Sequence, residues 1–384
     1  MLNVSAEDSP GRSLSDEGAC RVLSISGGPC GWPELLRMWW AGDGIRAILR
    51  RAGHPDRPFE ALVPTLPWHL GKVLASASRR VAETASSDAT GPVHRASEPC
   101  SPRGNGPRRI LSRIMGGRTR WKVAILGSDP LESGPAVVRY LDCAPALQLA
   151  DPFEIRVGGT PFLLAESISP SGLGSLVACG LHGDVLDDSC LPLLRLPHHL
   201  SWPFAFEREG SLFMVPETGE AREVSLWECT EFPSGWRKAA TLLSGRAFHD
   251  ATLLEEGGRW WLFVSVGGAH PGDHSAHLEI HHCEDLLSRP FRPHPGNPIS
   301  LSIAGSRPAG RIFRMDGKLY RPSQDGRGGY GRAVIVHRIE RLDEETYLET
   351  EVSRILPPEG ALGIHTLNRT SDGRWLVDCL VQST

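Results

Sequence analysis

From Trp121 onward, apolar residues come in runs of three to five, broken by Gly, Asp and Pro, with little of the spacing that marks an amphipathic helix. Many short strands separated by turn signals predict an all-β domain. Five stretches share one pattern: a polar start, a short apolar run, a turn ending in Gly, and a second strand carrying aromatic or large apolar residues. They are "DPFEIRVGGTPFLLAE" from Asp151, "WPFAFEREGSLFMVPE" from Trp202, "DATLLEEGGRWWLFVS" from Asp250, "RPAGRIFRMDGKLYRPSQD" from Arg307 and "HTLNRTSDGRWLVD" from His365. Their turn glycines, Gly159, Gly210, Gly258, Gly317 and Gly373, recur every 48 to 59 residues. That period suits four short strands, the size of a propeller blade. Five blades of roughly 50 residues each fill the 264 residues from Trp121 to Thr384. The expected fold is a five-bladed β-propeller over 121–384. The strand "WKVAIL" at its start pairs into the last blade and removes the free edges of an open ring.

The innermost strand of each blade lines the central channel and the second returns antiparallel beside it. The start of the first strand and the end of the second therefore share one face of the disc. Counting back from each turn sets Asp151 near Glu166, Trp202 near Glu217, Asp250 near Ser265, Arg307 near Asp325 and His365 near Asp378. One mouth of the channel should thus gather six carboxylates, from Asp151, Glu166, Glu217, Asp250, Asp325 and Asp378, with Arg307 and His365. Clustered like charges cost energy and shift pKa values, which is characteristic of functional sites. Each charge taken alone also reads as a solvated strand end.

Residues 1–110 are different. "ELLRMWWAGDGIRAILRRAG", Glu34 to Gly53, has room for one amphipathic helix weakened by Gly42 and Gly44, and "ASSDATGPVHRASEPCSPRGNGPRR" reads as a linker or disordered tract. This extension shows no chemistry of its own. A net charge of −4 with dispersed basic residues argues against broad nucleic-acid binding. No apolar run is long enough to predict a transmembrane helix, and the N-terminus lacks a signal-peptide pattern. Nine scattered cysteines with no C-x-x-C argue against a disulfide framework and a structural zinc site, so the expected setting is reducing and cytoplasmic.

"HPGDHSAHLEIHHC", His270 to Cys283, invites a metal reading, but its spacing matches no standard ligand pattern and His277–His282 read as a strand. The expectation is no metal and no cofactor. Trp260, Trp261, Phe263, Tyr320 and Trp375 read as core between blades, and Trp202, at the start of an inner strand, as a candidate to stack on the ring of a ligand.

Ten short motifs in order, "ADPF", "WPF", "FMVPE", "HDATL", "WWLF", "NPI", "SRPAG", "LYRPSQD", "YG" and "IHT", resemble the N-terminal propeller domain of glucosamine inositolphosphorylceramide transferases. This lies within the wider group of five-bladed carbohydrate-active propellers related to glycoside hydrolase family 43. The resemblance covers about residues 121–384 and implies a sugar or glycoconjugate ligand in glycoconjugate biosynthesis, with glycosyl transfer or processing as the activity. It also implies a possible partner enzyme, a glycosyltransferase or a formyltransferase-like protein. Carried over from the hydrolases, Asp151 would be the base, Asp250 the modulator of the acid, and Glu217 the acid. The second blade lacks the hydrolases' modulator Asp and their E-G-P acid motif is absent, which departs from hydrolysis. Arg307 and Arg321 point to a phosphorylated, nucleotide-linked or uronic sugar; neutralisation of Asp325 and Asp250 is the plainer role for Arg307. His249 and His365 are candidate donors to sugar hydroxyls, with His365–Asp378 pairing as the structural alternative. A plain hydrolase of the arabinanase/xylosidase type and a non-catalytic propeller recruiting a glycan or partner are the alternatives.

Overall fold

In the computed structural model, Trp375–Gln382 pairs with Thr119–Leu126 along its whole length, from Trp375 opposite Leu126 to Gln382 opposite Thr119. The first strand of the propeller is thereby the third strand of its last blade, as expected for "WKVAIL". Side chains are described for residues 119–384, apart from 133, 138, 142, 144–147, 268–276, 288–289, 303, 328–329 and 384; in residues 1–118 only the backbone strands between 3 and 62 are described. The chain divides into two units, Met1–Gly104 and Asn105–Thr384.

Five antiparallel sheets make up the second unit. Blade 1 begins with Gln148–Val157, Thr160–Ile168 and Gly174–His182. Blade 2 runs Ser201–Arg208, Ser211–Glu217, Glu223–Glu231 and Gly235–Ser244. Blade 3 opens with Phe248–Glu256, Arg259–Val266 and His277–Cys283. Blade 4 runs Ala304–Pro308, Lys318–Asp325, Val334–Leu342 and Tyr347–Ile355. Blade 5 is Gly363–Arg369 and Trp375–Gln382, completed by Thr119–Leu126 and Val137–Leu141.

Blades pack through the aromatic residues of their first two strands. Phe153 meets Phe204 at 5.8 Å between ring centroids, and Phe206 meets Trp260 at 5.4 Å, so one apolar seam runs through blades 1, 2 and 3. Trp260, Trp261, Phe263 and Trp375 are buried, as the sequence implies.

Each first hairpin carries a register shift near the start of its inner strand, between Ala150 and Phe153, Ser201 and Phe204, His249 and Thr252, Ala304 and Pro308, and Ile364 and Leu367. A bulge adds a residue and re-aims side chains. Asp151, Trp202 and Asp250 sit at these bulges with φ of 50°, 53° and 53°, in the left-handed region that non-glycine residues seldom occupy. Five equivalent bulges thus shape one mouth of the channel.

Two expectations are corrected. Cys179 and Cys190 form a disulfide across blade 1, with Cα atoms 4.4 Å apart, and the Cys143 sulfur lies within 4.8 Å of both. The third strand of blade 1, which holds Cys179, pairs with Leu191–Leu194, which starts directly after Cys190, and so brings together cysteines eleven residues apart, which scattered spacing conceals. The argument from cysteines to a reducing compartment loses its premise. In the first unit, the expected helix over Glu34–Gly53 gives way to strands Leu35–Ala41 and Gly44–Arg51, paired from Leu35–Arg50 to Ala41–Gly44. A helix there would have carried Gly42 and Gly44 in its interior, each costing about 1 kcal/mol relative to Ala. The expected linker, and His270 and His274 of the histidine-rich stretch, lie outside the described residues.

Candidate functional site

At the bulged mouth, one cluster is built around a histidine. His365 is fully buried, its Nδ1 2.8 Å from Asp378 Oδ1 and its Nε2 3.1 Å from Asp151 Oδ1. Both approaches are off the line of the ring N–H, so the contact is ionic more than directional. Asp378 also accepts the backbone N–H groups of Asp151, His365 and Thr366 at 3.0 to 3.1 Å. Asp151 Oδ2 accepts the N–H of Trp202 at 3.2 Å. Burial works against a charged imidazole, but Asp378, then Tyr330 and Asp151, outweigh it and hold the His365 pKa well above its usual value. Burial likewise pushes Asp378 up, and the His365 charge and the N–H donors bring it below the usual carboxylate range. The imidazolium is thus a bridge joining blade 5 to blade 1.

The second cluster is built around an arginine. Arg307 donates from Nε to Asp250 Oδ2 at 2.5 Å and from Nη2 to Asp250 Oδ1 at 3.2 Å, and its Nη2 lies 3.6 Å from Glu217 Oε2. Gln324 Nε2 donates to Asp250 at 3.0 Å, the Asp250 N–H reaches Glu217 at 3.3 Å, and His249 Nδ1 lies 3.0 Å from Glu217 Oε1. Burial raises the Asp250 pKa to about 6; Arg307 opposes the rise and Glu217 adds to it. Arg307 is held above its ordinary value because Asp250 and Glu217 outweigh its burial.

Tyr330 joins the two clusters. The Arg307 guanidinium lies 5.4 Å from its ring centroid, and its ring is 5.1 Å from that of His365, which also packs 4.2 Å from Trp121.

The structure therefore brings together Asp151, His365 and Asp378 in one group and Glu217, His249, Asp250 and Arg307 in the other. Glu166 is fully buried with its Oε1 3.2 Å from His199 Nε2. Three placements differ from expectation. Asp325 does not neighbour Arg307: the blade-4 bulge sets Ala304, not Arg307, opposite it, and its carboxylate binds Arg327 and Arg354. Arg321 is buried inside blade 4, donating from Nε and Nη2 to Glu349 at 2.8 and 2.7 Å and from Nη2 to Gly305 O at 2.9 Å, away from the mouth cluster. Trp202 is wholly buried edge-on to Phe153 with its indole N–H on Ala251 O, so it cannot stack on a ligand. Sequence reasoning missed Tyr330 and Gln324 as site residues. "YG" and "LYRPSQD" contain them, but neither stands at a hairpin end.

Among the described residues, two groups have donor atoms close enough to hold a metal: Asp151, His365 and Asp378, and Cys143, Cys179 and Cys190. In the first, the imidazolium of His365 already occupies the space between the two carboxylates and offsets one of their charges; in the second, two sulfurs are joined to each other. His277 and His281 bracket Glu279 at 2.9 and 3.0 Å, and Arg246 binds that carboxylate bidentately, so this stretch is an ion-paired strand face.

Fold and site define a five-bladed propeller whose channel mouth holds buried, paired charges. Its sequence resembles one domain in particular: residues 192–364 match the family described as Glucosamine inositolphosphorylceramide transferase 1, N-terminal. The glucosamine inositolphosphorylceramide transferase 1 of Oryza sativa subsp. indica is 34% identical over 254 residues, 64% of this chain and 33% of the rice protein. That of Arabidopsis thaliana is 33% identical over 216 residues, 54% of this chain and 28% of its own length. The chain spans about a third of the length of the curated relatives it matches. Solved structures of similar shape include the catalytic domain of a GH62 α-L-arabinofuranosidase from Coprinopsis cinerea (TM-score 0.45, 14% identity, 69% of this chain and 97% of that one). Another is a GH43_1 enzyme from Xanthomonas citri complexed with xylose (TM-score 0.42, 12% identity, 61% and 87%).

Proposed function

We propose that this propeller binds a negatively charged sugar or glycoconjugate at the Arg307 mouth and serves glycoconjugate biosynthesis as a recognition domain. Arg307 carries this reading. It is the cation of the mouth that retains some exposure, about 8%, and its planar fork suits a phosphate or carboxylate. The name of the rice and Arabidopsis relatives supplies two ligand parts to try, glucosamine and an inositol phosphate, the second of which is anionic. Calorimetric titration with each tests the proposal. Saturable binding of inositol phosphate, weakened at least tenfold by Arg307→Lys, is expected; no binding, or binding indifferent to Arg307→Lys, sinks it.

A catalytic reading has one specific observation in its favour. Asp250, with a pKa near 6, is close to the working pH of a proton donor, and Glu217 is beside it. Asp151 is less suited to act as base, since one of its oxygens is on His365 and the other on the Trp202 N–H. Turnover of a glycan or sugar nucleotide that is abolished by Asp250→Asn would favour this reading, whether transfer or hydrolysis; a partner glycosyltransferase would be needed if no turnover occurs.

A further inference from the structure

The inner strands begin at the Arg307 mouth and run through the disc. Glu154 and Arg156 lie three and five residues beyond Asp151, about 10 and 17 Å along an extended strand. At this second mouth is a pocket of about 350 Å³ whose lining includes Glu154, Arg156, Glu207, Arg311, Arg369 and Ser371. That volume is at the lower end of the range for small-ligand sites.

Arg311 reaches across the channel into this pocket from the segment after the inner strand of blade 4. Its guanidinium lies 4.6 Å from the Phe204 ring centroid and 5.4 Å from that of Phe153, and one Nη donates to Ala205 O. The root of the side chain is fixed. The Arg311 N–H donates to Asn368 Oδ1 at 2.7 Å, and Asn368 Nδ2 donates to Pro152 O at 2.8 Å, tying blades 4, 5 and 1 together. Gly310 precedes it at φ 157°, and a Cβ there would stand 2.0 Å from Leu367 O, so only glycine lets the two blades approach at this point.

Among the described residues, Arg311 has no carboxylate within ion-pair distance, and Arg369 likewise has none. Burial, only partly offset by Glu154, lowers its pKa to about 10, while Asp250 and Glu349 raise those of Arg307 and Arg321. Arg369 lies over Trp375 and donates one Nη to Gly373 O at 3.3 Å. The pocket's carboxylates do not make up the difference. Glu154 is occupied by the Ser371 N–H and hydroxyl at 2.9 and 2.6 Å, with Arg156 at 3.8 Å, and Glu207 is exposed.

We infer that this second mouth is an anion site, where Arg311 and Arg369 bind a phosphate or carboxylate group of a small ligand. It is separate from the Arg307 mouth and does not depend on the function proposed there. A half-buried cation held by neutral groups alone is costly, and an oxyanion seated between the two guanidinium groups would replace the missing counter-charge.

Titration of the full chain with inorganic phosphate and, separately, with glucuronate tests this, followed by calorimetry and by 31P line broadening for phosphate. Saturable binding of at least one is expected, and which one saturates tells phosphate from carboxylate. Arg369→Gln should weaken it at least tenfold, Arg311→Met should abolish it, and Arg311→Lys should retain it within about tenfold because the charge remains. Should Arg311→Met fail to fold, Arg369→Gln decides alone. No saturable binding of either anion overturns the inference, as does binding that Arg369→Gln leaves unchanged and Arg307→Lys removes, which would assign the anion to the first mouth.

Discussion

Arg307 and Arg311 stand four residues apart in one segment, yet they face opposite mouths of one channel and opposite electrostatic conditions. Arg307 is gripped by Asp250 and approached by Glu217. Arg311 has aromatic faces and one carbonyl. The first mouth has arranged its charges against each other, leaving the edge of Arg307 exposed. The second has charge to spare. A buried arginine therefore says little by itself: what matters is whether its neighbours have already consumed it.

Substitutions can break that contrast. The largest effect is expected at His365. Replacing it with Gln leaves Asp151 and Asp378 buried together without a cation, and should cost roughly 3–5 kcal/mol by denaturant unfolding. Arg307→Met comes next, at about 3 kcal/mol near pH 8, because Asp250 loses its partner. The loss should be smaller at pH 5, where Asp250 is protonated and needs none. If the two pH values give the same loss, Asp250 is not the group left exposed.

Titration of Asp250 in the unaltered protein is a finer test. Its folded pKa, about 6, is above its ordinary value, so the folded state binds this proton more tightly than the unfolded one. Its contribution to stability is therefore complete below about pH 4 and declines as pH rises through 6. Carboxyl 13C shifts should show a midpoint near 6 that moves upward in Arg307→Met. The smallest effect belongs to Arg311→Met, which removes an unpaired charge and keeps the apolar contact: stability should change by less than about 1 kcal/mol. A loss as large as that of Arg307→Met would erase the distinction between the mouths.

The blades were legible in the sequence because what defines them is local. A turn glycine, flanking apolar runs and a period near fifty residues are all written within one hairpin. Four of the five hairpin-end pairings follow from counting back from those turns, and His365–Asp378 is one of them. Contacts between blades are not written locally. Arg307 finds Asp250 in the neighbouring blade, not Asp325 in its own, because a bulge displaces the register by a few residues. Trp202 occupies the bulge position that Asp151 and Asp250 fill elsewhere, and its size and apolarity turn that position inward to core. Tyr330 was hidden in a glycine-rich stretch with no strand pattern to number it against, and the partner of Cys179 depended on how a short fourth strand folds back.

Ring closure by Thr119–Leu126 has a consequence in time. This strand is the first of the propeller to be synthesised, and the strand it pairs with, Trp375–Gln382, is nearly the last. At ~5–20 residues per second the partner arrives on the order of 10–50 s later. For that interval an apolar strand stands with an unsatisfied edge while four complete blades form beside it, the kind of edge on which chains associate wrongly. Production of this protein should therefore depend on whatever shields that one strand until Trp375–Gln382 has been made.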